Sequence, residues 1–424
     1  MLSADKNERL TRIGPGTPMG DYVRRFWTPF LLSDELPEVD GEPRRVRLLG
    51  EDLIAFRQSD GDVGLIGAWC PHRGASLFFG RNEECGLRCI YHGWKFDRSG
   101  ACVDLPNTPN GDTFKENISV DAYPVREAGG VLFAYMGPPE HQPDLPYLPW
   151  VRSAEQLGVP TSVAARTEHR GNWLQHLENL MDESHVGFLH SAVGDSTSPG
   201  GTLSGDAFRD RAPEPSAVFE TECGLVGGFV RNADGGRLNV RANAYQLPFA
   251  CDVLAPPPIS YATWQVPIPI DDEHSMFLRV VYLVDRPISE IESLLAPEGQ
   301  PRLIPGTAII EANYDNDYLI DRELQRTTSF TGITGIRAQD AAVTDVQFGG
   351  PITDRTRERL VPSDRAVVIL RSTLLQKLDD FEATGTTPAP QALATTEFRG
   401  VDFDIDVDGD VEAACLERME TPAG

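Results

Sequence analysis

"CPHRGASLFFGRNEECGLRCIYHGWKFD", residues 70–97, contains two closely spaced pairs of cysteine and histidine, Cys70 with His72 and Cys89 with His92. Thiolates and imidazoles bind soft or borderline metals, so four such donors predict a metal site. The four donors alone are compatible with two kinds of metal centre. One is a tetrahedral zinc bound by all four side chains. The other is a [2Fe–2S] cluster with two cysteines on one iron and two histidines on the other. The alternating order favours the cluster, because each segment then supplies one ligand to each iron.

Composition sets the class of protein around this site. The chain has 424 residues, of which 40% are hydrophobic, which is enough for two or three domains with a sizeable core. Its net charge of −26 disfavours binding to nucleic acid or to anionic membranes. The N-terminus is polar and lacks the apolar core of a signal peptide, and no run of eighteen apolar residues occurs. Seven cysteines are too sparse for a disulfide framework, so we expect a cytoplasmic protein.

Changes of sequence texture predict a small all-β domain followed by a larger α+β domain. Short β-like runs begin near residue 43, and the segment 138–150 carries five prolines. Residues 172–190 and 364–383 have helical texture. In the larger domain we expect an antiparallel sheet flanked by helices. The predicted parts are an N-terminal helical segment that packs with the larger domain, the all-β domain, a proline-rich linker and the α+β domain, at residues 1–39, 40–138, 139–150 and 151–424.

A second group of candidate ligands lies in the helical segment 172–190. His185 and His190 are five residues apart, about 140° around an ideal helix, and cannot share one face. A break near Gly187 is predicted to turn both toward one metal. Asp182 falls three residues before His185, which suits a role in supporting that ligand. Two imidazoles and a carboxylate are the set that mononuclear non-haem Fe(II) prefers, although histidines at such spacing also occur in ordinary cores.

The two motifs together resemble the large subunits of Rieske non-haem iron oxygenases. The first stretch matches the Rieske signature down to its "YHGW" ending, and "NWLQHLENLMDESHVGFLH" (172–190) is similar to the family's catalytic segment. "GIRAQDAAVTDVQFGGPITDRTRERL" (335–360) looks like the C-terminal ligand region of the phthalate 4,5-dioxygenase-like members. The resemblance implies a Rieske cluster on Cys70, His72, Cys89 and His92. It also implies Fe(II) on His185, His190 and Asp340, with Asp345 as the nearest rival to Asp340; His176 matches no ligand position.

The function that the resemblance implies is the oxygenase component of a multicomponent enzyme. A separate reductase, of ferredoxin or flavin-iron-sulfur type, would bring electrons from NAD(P)H. Asp182 would link His185 to the partner subunit's His92, in a homotrimer or stacked hexamer. The expected substrates are O2 and an aromatic acid, with O-demethylation of a methoxylated aromatic acid as the alternative. An electron carrier without oxygen chemistry and a zinc-stabilised binding protein are the hypotheses from other classes.

One further stretch, "RLNVRANAY" (237–245), alternates between polar and apolar residues as a strand does. Its polar positions are predicted to form a solvent-facing sheet surface, with recognition of a substrate carboxylate as the alternative. These positions are Arg237, Asn239, Arg241 and Asn243.

Overall fold

The chain folds as two units, each with its own sheets. The small unit is Ile13–Leu145, and the large unit combines Met1–Arg12 with Pro146–Gly424. The computed structural model describes residues 2–109, 112–193, 213–221, 224–254, 261–291, 301–387 and 399–420. Of the N-terminal segment 1–39, only the first twelve residues group with the large unit. From Ile13 onward that segment belongs to the small unit, because Trp27–Leu32 is a strand of one of its sheets.

The order of strands and helices along the chain agrees with the one that the sequence patterns predict. The α-helices are α1 (Ala4–Thr11), α2 (Pro18–Val23), α3 (Asp112–Lys115), α4 (Pro149–Leu157), α5 (Trp173–Met181), α6 (Val186–Leu189), α7 (Arg322–Thr327), α8 (Ile336–Thr344), α9 (Arg365–Thr384) and α10 (Val411–Glu420). The strands of the small unit are β1 (Trp27–Leu32), β2 (Arg44–Leu48), β3 (Glu51–Arg57), β4 (Val63–Gly67), β5 (Arg81–Asn82), β6 (Leu87–Arg88), β7 (Lys95–Phe96), β8 (Cys102–Asp104), β9 (Val125–Ala128) and β10 (Val131–Tyr135). Those of the large unit are β11 (Ser162–Arg170), β12 (Glu214–Thr221), β13 (Gly224–Ala233), β14 (Arg237–Gln246), β15 (Ala250–Leu254), β16 (Ala262–Pro269), β17 (His274–Tyr282) and β18 (Val401–Asp406).

The small unit consists of three antiparallel sheets in the orders β1-β10-β9, β2-β3-β4 and β5-β6-β7-β8. Strands β3 and β4 form an antiparallel hairpin around "SDGD" (59–62). Phe56, Ile66 and Phe96 come from different strands and are fully buried in one apolar cluster. Cys70 and Cys89 belong to the same cluster, so both thiols are removed from water at the edge of the core.

The large unit is built on one antiparallel sheet of eight strands. Its order is β11-β17-β16-β15-β14-β13-β12, and β18 pairs with β14 beside β15. Helices α5 and α9 pack on this sheet, as does α10 at its β12 and β18 strands. The predicted fold class, a small all-β domain followed by an α+β domain with helices around an antiparallel sheet, is therefore confirmed. Within the described residues, no helix has the length and apolar character needed to cross a membrane.

Helix α5 is the buried element that carries the second candidate site. It begins after Asn172, whose side chain accepts a hydrogen bond from the N–H of Leu174 at 3.1 Å. Its apolar side, including Trp173, is fully buried and packs on β16. Its polar side holds Glu178, which accepts hydrogen bonds from Arg355 at 2.9 Å and Arg371 at 2.6 Å. Apolar packing and a buried ion pair thus fix this helix from both sides.

Candidate metal centres

The first candidate centre lies on two loops of the small unit with matching backbone conformations. In one loop the N–H of Gly74 donates to the carbonyl of Cys70 at 2.9 Å. In the other the N–H of Gly93 donates to the carbonyl of Cys89 at 2.9 Å. Both glycines have positive φ angles, 69° and 79°, which other residues adopt only with strain. The glycine after each predicted pair therefore closes the turn that presents it.

The donor atoms of these loops fit a two-iron cluster. Cys70 and Cys89 are each 2% exposed, and the rings of His72 and His92 lie 4.4 Å apart. The Nδ1 atom of His72 is buried without a hydrogen-bond partner in the described structure, as expected of a metal ligand. Burial raises the pKa of the Cys70 thiol to about 11, and the nearby Cys89 adds to that rise. A cation would stabilise both thiolates.

The spacing of these donors argues against a single zinc ion. Tetrahedral ligands at Zn–S about 2.3 Å and Zn–N about 2.0 Å stand roughly 4 Å or less from one another. In the described part of the chain, only His185, His190 and Asp340 form a group of three or more donors that all lie within 4.8 Å of one another. The cysteine and histidine pairs bring their donors near each other without converging on one point. A cluster of two metals accounts for that arrangement.

The tips of both loops expose large apolar side chains. Trp69, Ile90 and Tyr91 are 56%, 62% and 52% exposed, respectively. The guanidinium of Arg73 lies 5.3 Å from the centre of the Tyr91 ring. The site therefore lies under a surface that is apolar and cationic.

The second candidate centre begins where α5 ends. Helix α5 stops at Met181, and Asp182 has an extended conformation with φ −95° and ψ 112°. The carboxylate of Asp182 accepts hydrogen bonds from the N–H and hydroxyl of Ser184 at 2.7 and 2.6 Å. Such a side-chain turn competes with helical hydrogen bonds and breaks the helix. The predicted break near Gly187 is thus wrong in position, since it lies at residues 182–184 and Gly187 is inside α6.

The break brings both histidines to one point. His185 precedes α6 and His190 follows it, and their rings lie 5.3 Å apart. Oδ1 of Asp340, on α8, lies 3.1 Å from Nε2 of His190 and 3.8 Å from Nε2 of His185. Asn179 of α5 donates to the same oxygen at 3.2 Å. Three residues from α8 and the two ends of α6 therefore present a two-histidine, one-carboxylate face.

Neighbouring side chains set the orientation of each imidazole. Gln339 donates its amide N–H to the carbonyl of Ile333 at 2.8 Å, so its oxygen faces Nδ1 of His190 at 2.7 Å. Oδ2 of Asp182 lies 3.4 Å from Nδ1 of His185. The acceptor at Nδ1 of His190 leaves Nε2 of that ring with a lone pair toward Asp340. Nδ1 of His185 lies beside the Asp182 carboxylate without a hydrogen bond to it in the described structure.

The charged groups at this centre stabilise one another's ionised forms. Burial would raise the pKa of Asp340, but His190, His185 and Arg337 outweigh it and the pKa falls well below its usual range. Burial would lower the pKa of His185, but Asp182 and Asp340 outweigh it and raise that pKa. A stable carboxylate beside two imidazoles suits a divalent cation.

The rival carboxylate, Asp345, belongs to a different cluster. It follows the end of α8, is 3% exposed, and lies 3.3 Å from Nδ1 of His169. The hydroxyl of Tyr318 donates to its other oxygen at 2.9 Å. His176 is buried beside it, with Nε2 3.9 Å from Asp345. Neither Asp345 nor His176 joins the group formed by His185, His190 and Asp340.

The polar face of β14 is largely buried, which corrects the solvent-facing prediction. Asn239, Arg241 and Asn243 are 7%, 5% and 3% exposed, and only Arg237 is exposed. The turn after α5 covers this face, because Glu183 accepts hydrogen bonds from Arg241 at 2.9 Å and Asn243 at 3.0 Å. Arg231 of β13 donates to the other oxygen of Glu183 at 3.0 Å. This buried carboxylate, missed in the sequence, ties the turn to the sheet.

A cavity of about 140 Å³ opens beside the three convergent residues. Its wall combines the turn after α5 with strands β14 to β17 and the start of α8. The side chains that matter below are Tyr261, Thr263, Gln265, Arg279 and Arg337. A small organic molecule can therefore reach the candidate metal face.

Comparisons with known proteins cover both units. A family model described as the Rieske [2Fe-2S] domain matches residues 26–124, and one described as LigXa C-terminal domain like matches residues 134–401. The 3-chlorobenzoate-3,4-dioxygenase oxygenase subunit of Comamonas testosteroni is 37% identical over 425 residues, which is 92% of this chain and 91% of that protein. The phthalate 4,5-dioxygenase oxygenase subunit of Pseudomonas putida is 36% identical, over 90% of this chain and 88% of that protein.

Two further similarities are more limited. The 5,5'-dehydrodivanillate O-demethylase oxygenase subunit of Sphingobium is 42% identical over 198 residues, covering 45% of this chain and 44% of that protein. The crystal structure of dicamba monooxygenase bound to dicamba superimposes with a TM-score of 0.58 at 19% identity, covering 85% of this chain and 98% of that chain. The structural similarity supports the fold alone.

Proposed function

This chain belongs to the Rieske non-haem iron oxygenases, and we propose that it is the oxygenase component that hydroxylates or dihydroxylates an aromatic acid with O2. Members of this family carry a Rieske [2Fe–2S] cluster and a mononuclear iron. The observation that carries the proposal is the convergence of His185, His190 and Asp340 beside a cavity that could hold the substrate.

We assign the cluster to Cys70, His72, Cys89 and His92, and the iron to His185, His190 and Asp340. Iron held by these three residues would supply the O2-activating chemistry, with room beside it for a bound substrate. Gln339 holds the His190 ring through Nδ1, and Asn179 holds the Asp340 carboxylate. Asp182 orients His185, and we propose that it also links this histidine to the partner subunit's His92. That link requires a homotrimer or a stacked hexamer.

The proposed substrate class rests on two relatives that cover 92% and 90% of the chain and are named for 3-chlorobenzoate and for phthalate. Both compounds are aromatic carboxylates. A reductase of ferredoxin or flavin-iron-sulfur type would supply electrons from NAD(P)H. The second candidate function is O-demethylation of a methoxylated aromatic acid. The similarity to the dehydrodivanillate O-demethylase subunit, 42% identical over part of the chain, favours it.

The test is product analysis with purified protein and a surrogate reductase. Anaerobic preparation is expected to give red-brown protein with about three irons per chain, two from the cluster and one from the catalytic site. Aromatic acids and their methoxylated analogues are then supplied with O2. Ring hydroxylation supports the first function, and release of formaldehyde supports the second. Pale protein without bound sulfide or catalytic iron would refute both.

A further inference from the structure

The cavity beside the proposed iron ligands has a cationic wall. Arg279 of β17 and Arg337 of α8 both line it. Phe277, two residues before Arg279 on the same face of β17, supports the second guanidinium, whose carbon lies 5.2 Å from the centre of the phenyl ring. Burial and the nearby Arg279 lower the pKa of Arg337 to about 10, which leaves the Arg337 guanidinium charged at neutral pH. Two like charges held together in one cavity favour the binding of an anion.

The protein itself leaves these charges poorly compensated. Within the described part of the chain, no carboxylate lies within ion-pair distance of Arg279, and its Nε is buried without a hydrogen-bond partner. Its guanidinium contacts the hydroxyl of Tyr261 at 3.4 Å. Arg337 lies 3.9 Å from Oδ2 of Asp340, a carboxylate already directed toward the histidines. Arg241 lines the same cavity but, in contrast to Arg279 and Arg337, forms a close ion pair with Glu183 at 2.9 Å.

A neighbouring amide also faces the cavity with an unused polar atom. Gln265 of β16 lies opposite Arg279 in the sheet and is 5% exposed. Its amide nitrogen donates to Thr263 at 3.0 Å, and its oxygen is buried without a partner. A neutral amide does not offset the charge of Arg279. Unpaired buried polar atoms from two strands point to a ligand that the cavity is built to receive.

We propose that Arg279 and Arg337 together form the subsite that binds the carboxylate of the aromatic substrate. The inference rests on the proposed function and names the residues that would select an acid over a neutral aromatic. Guanidinium groups match carboxylates in planar, bidentate geometry. A cavity near 150 Å³ accommodates one benzene ring, so about 140 Å³ fits a single ring held by its acid group.

Calorimetric binding to the iron-loaded protein, without reductase, tests the subsite. The probes are benzoate, 3-chlorobenzoate and phthalate, each compared with the corresponding neutral amide. At least one acid is expected to bind ten times more tightly than its amide. R279Q and R337Q should each weaken binding of that acid roughly 10- to 100-fold, as loss of a charged hydrogen bond does. Binding of the amide should stay within about threefold, by the same reasoning.

Two sets of controls separate a binding role from a structural one. R286Q removes a charge from an exposed arginine that pairs with Asp285 and Glu290, and should leave binding unchanged. R279K and R337K keep the charge but lose the planar fork, and should fall between wild type and the glutamine variants. An iron content of about three per chain, which includes the iron of the large unit, reports whether each variant is folded.

The inference is overturned if the acids bind no better than the amides. It is also overturned if folded R279Q and R337Q bind the acids as wild type does. Oxygenation of neutral aromatics in preference to acids would refute the subsite and leave the proposed oxygenase function standing. Arginine-dependent binding of acids, with no oxygenated product from any of them, would refute the oxygenase function and support the subsite.

Discussion

Oδ1 of Asp340 lies 3.1 Å from Nε2 of His190, whereas Asp345, at the end of the same helix, faces His169 and Tyr318. The two carboxylates are five positions apart in the sequence. Asp340 lies at the candidate metal face, and Asp345 lies in an unrelated hydrogen-bonded cluster. Because the two side chains have the same chemistry and different surroundings, a substitution of Asp345 is a matched control for the same substitution of Asp340.

We expect Asp340→Asn to lose the mononuclear iron and all product formation while the cluster is retained, because an amide is a far weaker ligand than a carboxylate. Asp345→Asn should keep the iron and instead lower the unfolding temperature, since it weakens the bonds to His169 and Tyr318. Iron analysis and thermal unfolding of both variants check this. Loss of iron from the Asp345 variant alone would reverse the assignment.

His185→Ala should lower the iron content from about three to about two per chain, because the cluster is unaffected and one catalytic ligand is missing. Turnover should disappear, and the reduced cluster should keep its EPR signal. His274→Ala is the control, since the His274 side chain is exposed and bonds only to Asp271 in the described structure. Full product formation by the His185 variant would contradict the proposed ligand set.

Asp182→Asn should leave both metal centres in place but slow electron transfer roughly 10- to 100-fold, the range typical of groups that orient a ligand. The amide keeps the shape of the side chain and the turn with Ser184, while it loses the charge beside His185. Single-turnover oxidation of the pre-reduced cluster by O2 in the presence of substrate measures the rate. A rate equal to that of wild type would rule out the proposed link.

Glu183→Gln should destabilise the protein by about 3–5 kcal/mol, because the buried guanidinium groups of Arg231 and Arg241 would lose the carboxylate that both contact. Burial would raise the pKa of Glu183, but the two arginines outweigh it and lower the pKa. Chemical denaturation of variant and wild type compares the two free energies. Glu290→Gln, which affects only an exposed ion pair with Arg286, should change stability little.

Because His176 is buried, we expect the stability of the folded protein to depend on pH. Burial, with the nearby His169, lowers its pKa from 6.5 to about 4. Below pH 6.5 the unfolded chain therefore binds a proton that the folded chain excludes, so stability is full above pH 6.5 and declines by up to about 3 kcal/mol toward pH 4. Denaturation at pH 7.5, 6 and 5 should show this decline in wild type and a smaller one in His176→Gln. An identical decline in both would exclude His176 as the source.

Local sequence determined the first centre better than the second. The turns around Cys70 and Cys89 depend on residues within a few positions of each pair, so spacing alone indicated them. The position of the helix break could not be read from spacing, because it depends on the turn that Asp182 makes with Ser184. Asp340 was identified by resemblance only, since its approach to His190 is a tertiary contact between α8 and the end of α6.

The strand β14 shows where an alternation pattern fails. Polar residues on one face usually indicate solvent, but here a turn with a buried carboxylate covers them. Two signals in the sequence were available and unused. Arg279 is a cation within the apolar strand "MFLRVVY" (276–282), and Arg337 stands one helical turn before Asp340. A charge where the pattern calls for an apolar residue indicates a site more often than a surface.

The proposed iron ligands come from α8 and the two ends of α6, whereas one wall of the cavity comes from strands β14 to β17. Substitutions on those strands can remodel what the enzyme accepts without moving His185, His190 or Asp340. Proteins with this architecture can therefore evolve new substrate ranges while the reaction at the iron stays the same. New specificities are best sought by randomising the strand residues first.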